Sequence, residues 1–380
     1  MRIFDGNERT NIEPACHLIS QFDYLNRSAR PEAAHVRTIM EEMLALYPEP
    51  HRSKLVPRLQ SRDDIQHNGA VFELILHELL IRRKCRVIAI EPEIPGNSHK
   101  PDFLVESPEG FRFYLEAKIA TGALGAAPGA DRRMRDALQA IDEVDSPNFF
   151  LCLRSHGIPA SQVPKKQLRH EVQSFVNALD NKTVVAAFEA GRSSPTYTFE
   201  HDGLRVQVEV VPKRFKGNGG RAIGVQVMPG GVVEPHLPIR NALNEKAGRY
   251  GKPNLPFIIA VNALDQYANE DSAIEALFGT KCFAERDDGS VRIAHEHDGV
   301  WGTAAHPIYQ RVSAVFSTER LSAWKLGQCS ARLIVNPWAA HTIPDYPLGV
   351  DVLQGGDECL ARSSGLTLRE ILGLPEGWPE

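Results

Sequence analysis

The pattern of hydrophobic and polar positions predicts helices followed by a compact set of strands in the first part of the chain. Residues 1–64 are polar and have helical periodicity, with one helix predicted to begin at Pro31. Residues 70–81 are apolar nearly all round and predict a buried helix. Short strands are predicted at 85–90, 102–105 and 111–118. The turn residues at 107–110 indicate that the last two strands form a hairpin.

A further helix over 131–144 and a strand over 149–153 follow the hairpin, and together these elements give the order α-β-β-β-α-β. This order predicts a mixed α/β layer with helices on a central sheet. The predicted division is a helical N-terminal segment at 1–64, a core at 65–180 and a second α+β region at 181–380.

The second half offers an alternative way to complete the core. A hairpin is predicted over 196–211, and two late strands are predicted near 311–316 and 332–335. Between them, a helix near 239–250 runs into a buried strand at 257–261. This later step could close the sheet, which would make 149–230 an insertion, but the contiguous completion through 149–153 is preferred.

Composition and charge narrow the class of protein. The 380 residues are 42% hydrophobic and 24% charged, which is typical of a globular chain, and no apolar run is long enough to span a membrane. Without a secretory signal and with six scattered cysteines, a cytoplasmic protein is expected. The formal charge of −5 argues against binding DNA through a broad cationic surface.

The strongest chemical signal is Pro101-Asp102 followed, after thirteen residues, by Glu116-Ala117-Lys118. Period-two alternation places Glu116 and Lys118 on the same face of the second hairpin strand, and Asp102 is on the partner strand. Two adjacent carboxylates repel each other unless a cation joins them, and hard oxygen ligands suit Mg²⁺. The alternative is that Asp102 caps a turn while Glu116 and Lys118 form a solvated pair on an edge strand.

These residues, over about 65–155, resemble the PD-(D/E)xK nuclease superfamily, which has the restriction-endonuclease-like fold. The resemblance implies Mg²⁺ as cofactor with Mn²⁺ as substitute, Asp102 and Glu116 as ligands, and Lys118 as the catalytic lysine. Glu73 is the best match for a further acidic residue, and the carbonyl of Ala117 is a plausible ligand. Glu78 is the rival of Glu73, but Arg82 four residues later gives it an ordinary ion-pair explanation.

The expected function is therefore metal-dependent endonucleolytic hydrolysis of phosphodiester bonds, with DNA favoured over RNA. A restriction, mobile-element or defence setting is compatible with the resemblance, and a protein partner or a homodimer is possible. Two other functions stay open: a non-catalytic nucleic-acid- or protein-binding module on the same fold, and an RNA-cleaving toxin.

Basic residues outside the motif are candidates for contacting the nucleic acid backbone. Three lie on the helix after the hairpin, at Arg132, Arg133 and Arg135. Three more lie in the Gly-rich loop that begins at 213, namely Lys213, Arg214 and Lys216. The sequence His295-Glu296-His297-Asp298 has metal-ligand residue types, but an exposed loop is the preferred interpretation.

Overall fold

The structure is a computed structural model that describes residues 1–94, 96–122, 129–215, 221–227, 234–251, 253–285, 291–344, 346–356 and 359–380. Its helices are α1 (Gln21–Arg27), α2 (Pro31–Leu46), α3 (Glu49–Leu59), α4 (Asp64–Arg82), α5 (Ala130–Asp142), α6 (Lys165–Asn177), α7 (Asn181–Glu189), α8 (His236–Ala247), α9 (Glu270–Phe278) and α10 (Leu368–Leu372). Its strands are β1 (Arg86–Ile90), β2 (Phe103–Glu106), β3 (Arg112–Ala120), β4 (Phe149–His156), β5 (Thr196–His201), β6 (Leu204–Pro212), β7 (Ile223–Val227), β8 (Phe257–Ala263), β9 (Lys281–Glu285), β10 (Val291–His295), β11 (Ala314–Glu319), β12 (Ala331–Val335), β13 (Asp351–Gly356) and β14 (Cys359–Ser363). The predicted mixed α/β class is confirmed.

The chain divides into two compact units. The first comprises Met1–Glu13, Ser20–Ala123 and Val233–Glu380, and the second comprises Pro14–Ile19 and Leu124–Val232. These units do not follow the predicted boundaries at 65 and 180. The second unit contains α5, α6, α7 and a sheet in the order β5-β6-β4-β7.

The first unit is built on an eight-stranded sheet in the order β1-β2-β3-β8-β11-β12-β13-β14. The predicted hairpin is confirmed, because β2 and β3 are antiparallel with Phe103 opposite Leu115. On its other side β3 runs parallel to β8 along its length, with Glu116 opposite Ile259. β3 is therefore an internal strand of the sheet.

The preferred completion of the core through 149–153 is wrong. That strand, β4, pairs with β6 and β7 in the four-stranded sheet of the second unit. The structure has the alternative completion, by the later helix and strand near 239–261, since α8 and β8 lie next to β3. All seven residues of β8 are buried, as expected for a parallel strand covered on both faces.

Separate apolar cores lie on the two faces of the large sheet. On one face α4 packs with Phe113 and Leu115 of β3, and α4 is buried nearly all round as predicted. On the other face α8 packs with Tyr114 of β3 and with Phe257 of β8. Burying both faces explains why β3 tolerates only a few polar side chains, and each of these needs a partner.

No helix among the described residues is long and apolar enough to cross a membrane.

Candidate active site

Asp102 and Glu116 meet at the start of the β2–β3 hairpin. Asp102 immediately precedes β2, and the register of the hairpin sets it opposite Glu116. The backbone N–H of Asp102 donates to Oε2 of Glu116 at 3.2 Å, and the N–H of Ala117 donates to Oδ2 of Asp102 at 2.6 Å. The two carboxylates predicted to share a site are thus brought together by main-chain hydrogen bonds.

The environment of Asp102 disfavours its ionised form. Desolvation is the main cause that raises the pKa of Asp102, and the charges of Glu116 and Glu73 raise it further. The hydrogen bond from Ala117 and the charge of Lys246 act in the opposite direction but do not cancel these effects. This carboxylate therefore lies in a negative environment that an additional cation would stabilise.

Glu73 of α4 is engaged with two donors. The Tyr47 hydroxyl donates to Oε1 at 2.7 Å, and Nη1 of Arg58 donates to Oε2 at 2.7 Å. Burial and the charge of Glu73 raise the pKa of Tyr47, which keeps this phenol protonated as a donor. Because both oxygens of Glu73 are occupied, its role as a metal ligand stays a prediction.

α8 brings a second lysine to the site. Nζ of Lys246 forms an ion pair with Oε1 of Glu116, and both side chains are mostly buried. Tyr250, three residues beyond α8, hydrogen-bonds the same carboxylate; its own burial and the charge of Glu116 raise the pKa of Tyr250. Glu116 therefore interacts with Lys246, Tyr250 and the backbone of Asp102.

Lys118 is paired with an acidic residue of α8. Its Nζ lies 2.6 Å from Oε2 of Glu245, which is about half exposed. The hydrogen bond from Lys118 is the main cause that lowers the pKa of Glu245. Adjacent residues of α8, Glu245 and Lys246, thus contact Lys118 and Glu116 of β3 respectively.

The alternative of a solvated pair on an edge strand is wrong. β3 lies between β2 and β8, and the Glu116 side chain is only 2% exposed. Glu78, the rival of Glu73, pairs with Arg82 at 2.7 Å as its spacing predicts.

The predicted backbone-contacting residues belong to the second unit, whereas the carboxylates belong to the first. Arg132, Arg133 and Arg135 lie on α5, where the Arg133 guanidinium donates to the carbonyl of Pro159 at 2.6 Å. Lys213 donates to the carbonyl of Ser146 at 2.7 Å, Arg214 is exposed, and Lys216 is outside the described residues. Their role in nucleic acid binding stays a prediction.

The segment His295 to Asp298 has a structural role at Asp298. Its carboxylate accepts a hydrogen bond from the N–H of Thr280 at 2.8 Å and pairs with Arg240 at 2.7 Å. The first contact joins the segment after β10 to the connection between α9 and β9, and the second joins it to α8.

Five residues of the site were not predicted: Tyr47, Arg58, Glu245, Lys246 and Tyr250. No local pattern marks them, because the partner of each lies at least 15 residues away. The one available signal was the helix and buried strand at 239–261, which identifies α8 as a neighbour of β3 once β8 is placed in the core.

The residues present fit a divalent cation through two carboxylates. Among the residues that the structure describes, no group of three or more His, Cys, Asp and Glu side chains is arranged to hold a metal ion. Mg²⁺, however, commonly uses one or two carboxylates and completes its octahedron with water and substrate oxygens. Asp102, with its raised pKa, and the adjacent Glu116 form such a set, provided that Lys246 releases Glu116.

Comparisons with protein-family models, with curated proteins and with solved structures find no match to this chain.

Proposed function

We propose that the protein is a metal-dependent endonuclease of the PD-(D/E)xK type that hydrolyses phosphodiester bonds, with DNA the favoured substrate. Its main support is the pairing of Asp102 with Glu116 on adjacent strands, in a setting that raises the pKa of Asp102. Burying a carboxyl group where its ionised form is disfavoured costs folding free energy, and groups with pKa values perturbed in this way are concentrated at functional sites.

The order of elements around the pair gives further support. The sheet contains β1, β2 and β3 followed by β8. Helix α4 precedes these strands in the sequence, and α8 packs beside β3. This is the αβββαβ order that the resemblance implies, with the second unit inserted between β3 and α8. This order of elements is compatible with the proposed fold and supports the proposal.

Each residue has a distinct proposed role. Asp102 and Glu116 would hold Mg²⁺, which supplies Lewis-acid polarisation of the phosphodiester and a more acidic water. Lys118, two residues along the strand, would orient that water or offset the charge that grows on the phosphorus oxygens. For this its ammonium must leave Glu245, whose half-exposed carboxylate gives a weak ion pair.

A nuclease assay with matched variants tests this proposal. Purified protein with Mg²⁺ or Mn²⁺ should cleave DNA, and Asp102→Asn and Lys118→Ala should each lower the rate by about 10²-fold or more. Glu245→Gln, which removes the ion pair but keeps Lys118, should retain cleavage. Absence of cleavage of DNA and RNA by the wild-type protein, or equal rates for all variants, would contradict the proposal.

A non-catalytic binding role is the second candidate, and the lysine pairing favours it. Glu116 with Lys246 and Lys118 with Glu245 form two ion pairs that neutralise the motif internally. If the protein only binds a partner, Asp102→Asn should leave that affinity unchanged, and calorimetry should detect no Mg²⁺ binding. Mg²⁺ binding that Asp102→Asn abolishes would exclude this second role.

A further inference from the structure

A cavity of the first unit lies away from the β2–β3 hairpin and is formed by α2, α4 and the segment at 372–380. Its volume is about 380 Å³, which is within the range of small-molecule pockets. The walls are largely apolar; they include Ile39, Met43, Leu46, Leu372, Leu374 and Trp378. Trp378 is held by a hydrogen bond from its Nε1 to the carbonyl of Ala323 at 3.0 Å.

One buried carboxylate of this cavity is only half satisfied. Glu78 lines the cavity although its side chain is almost fully buried, with 3% exposed. Arg82 donates to Oε1 of Glu78 at 2.7 Å, while Oε2 has no hydrogen-bond partner among the described residues. An ionised carboxylate accepts several hydrogen bonds, and buried polar atoms of native proteins nearly always have a partner.

The charged residues around the cavity determine which ligand charge it favours. Glu42, Glu78 and Glu380 line it together with one arginine, Arg82, and one histidine, His35, so acidic side chains predominate in the lining. An anion would be repelled, and a neutral apolar molecule would leave Oε2 of Glu78 unpartnered. A divalent metal ion is disfavoured, because Arg82 already pairs with Glu78, and the other two carboxylates, those of Glu42 and Glu380, are exposed.

We propose that this cavity binds a small organic cation, an ammonium or guanidinium group carried on an aliphatic body. The cationic head would donate to Glu78, since an ammonium offers three donors and no acceptor. Because Oε2 has almost no accessible surface in this structure, its carboxylate would rotate toward the head group on binding. The aliphatic body would lie along Ile39, Leu46 and Leu374, lining residues that keep exposed apolar surface. The inference does not depend on the proposed nuclease activity.

Calorimetry on the full chain with n-pentylamine, agmatine and n-pentanol tests the chemistry. Both cations should bind, and n-pentanol, which has the same aliphatic body without the charge, should bind at least about tenfold more weakly. Equal affinity for n-pentylamine and n-pentanol would overturn the proposal, as would the absence of binding by either cation.

Two variants locate the site. Glu78→Gln should weaken n-pentylamine binding by about tenfold or more, while Glu42→Gln, an exposed acid of the same lining, should change it by less than about threefold. Unchanged n-pentylamine binding by Glu78→Gln would contradict the placement of the binding site at Glu78.

If Glu78→Gln does not fold, Leu46→Trp provides the test. Leu46 is 52% exposed, so a larger side chain there should narrow the cavity without disturbing the core, and it should weaken binding. Wild-type affinity in Leu46→Trp would contradict the site. The cation could be a free small molecule or an arginine side chain of another protein. A blocked peptide with one arginine distinguishes the two sources. Tighter binding of that peptide than of agmatine would overturn the assignment to a free small molecule.

Discussion

Lys246 of α8 and Glu116 of β3 form a buried ion pair across 130 residues of sequence. Its partner pair, Lys118 with Glu245, joins the same helix and strand at a more exposed position. Lys246 neutralises one of the two carboxylates proposed to bind Mg²⁺, so a bound metal ion would have to displace it. The site is therefore expected to respond differently to the loss of each lysine.

Replacing Lys246 with Met should destabilise the metal-free protein and tighten metal binding. Removal of one partner of a buried pair leaves the other charge uncompensated and costs about 3–5 kcal/mol of unfolding free energy. The same change removes the competitor of the metal, so calorimetry without nucleic acid should show Mn²⁺ binding about fivefold tighter or more.

Arg249→Met is the matched control for Lys246→Met. Arg249 lies just beyond the same helix and pairs only with exposed Glu245, at 3.8 Å, among the contacts of the described residues. Its loss should cost no more than about 0.5 kcal/mol. Equal stability losses for the two variants, or weaker Mn²⁺ binding by Lys246→Met, would contradict the displacement.

Replacing Lys118 with Met should have the reverse profile. Lys118 and Glu245 are partly exposed, so breaking their pair should cost at most about 1 kcal/mol in chemical denaturation. Cleavage should nevertheless fall by about 10²-fold, because the proposed ammonium beside the scissile phosphate is lost. A variant that is strongly destabilised but cleaves normally would show that Lys118 is structural.

The sequence predicts the hairpin and its two carboxylates because these depend on local patterns. Alternation along 111–118 fixes which residues share a face, and the turn at 107–110 sets Asp102 opposite Glu116. The buried helix at 70–81 also follows from its composition, since α4 is apolar on nearly all sides. These elements can be predicted without information about distant parts of the chain.

The neighbour of β3 could not be predicted in the same way. Both 149–153 and 257–261 are short apolar strands after a helix, and nothing local distinguishes them. The choice depends on tertiary packing: β4 has three exposed residues among its eight, whereas all of β8 is buried. Parallel strands covered on both faces are continuously apolar, but both runs meet this condition, so the sequence pattern does not separate them.

Asp102→Asn should stabilise the metal-free protein at neutral pH. The folded state raises the pKa of Asp102, so it holds the proton more tightly than the unfolded chain does. The stability that this proton contributes is full below the unfolded pKa and is lost as the pH rises through the folded pKa. Thermal unfolding should therefore show Asp102→Asn more stable than wild type near pH ~8, with little difference near pH ~3.

Asp298→Asn gives the opposite trend as a control. Burial would raise the pKa of Asp298, but hydrogen bonds from Thr280 and the Arg240 guanidinium outweigh burial and lower it. Its ionised form stabilises the protein above the unfolded pKa, so Asp298→Asn should destabilise at neutral pH and converge with wild type in acid. An Asp102→Asn variant that follows this same trend would contradict the environment described for Asp102.

His77 should make the first unit sensitive to mild acid. Its side chain is 1% exposed, its ring lies 4.8 Å from that of Tyr47 between centroids, and Nδ1 has no hydrogen-bond partner among the described residues. Burial lowers the pKa of His77 to about 4, so the unfolded chain binds its proton more readily than the folded state. The free energy of unfolding should fall by about 3 kcal/mol as the pH drops from ~6.5 to ~4.

His77→Leu, which keeps an apolar side chain beside Tyr47, tests this prediction. In chemical denaturation it should flatten the pH dependence of stability, with little loss of stability near neutral pH. An unchanged pH slope in His77→Leu would show that the acid sensitivity comes from other groups, such as His67, whose pKa is also lowered by burial.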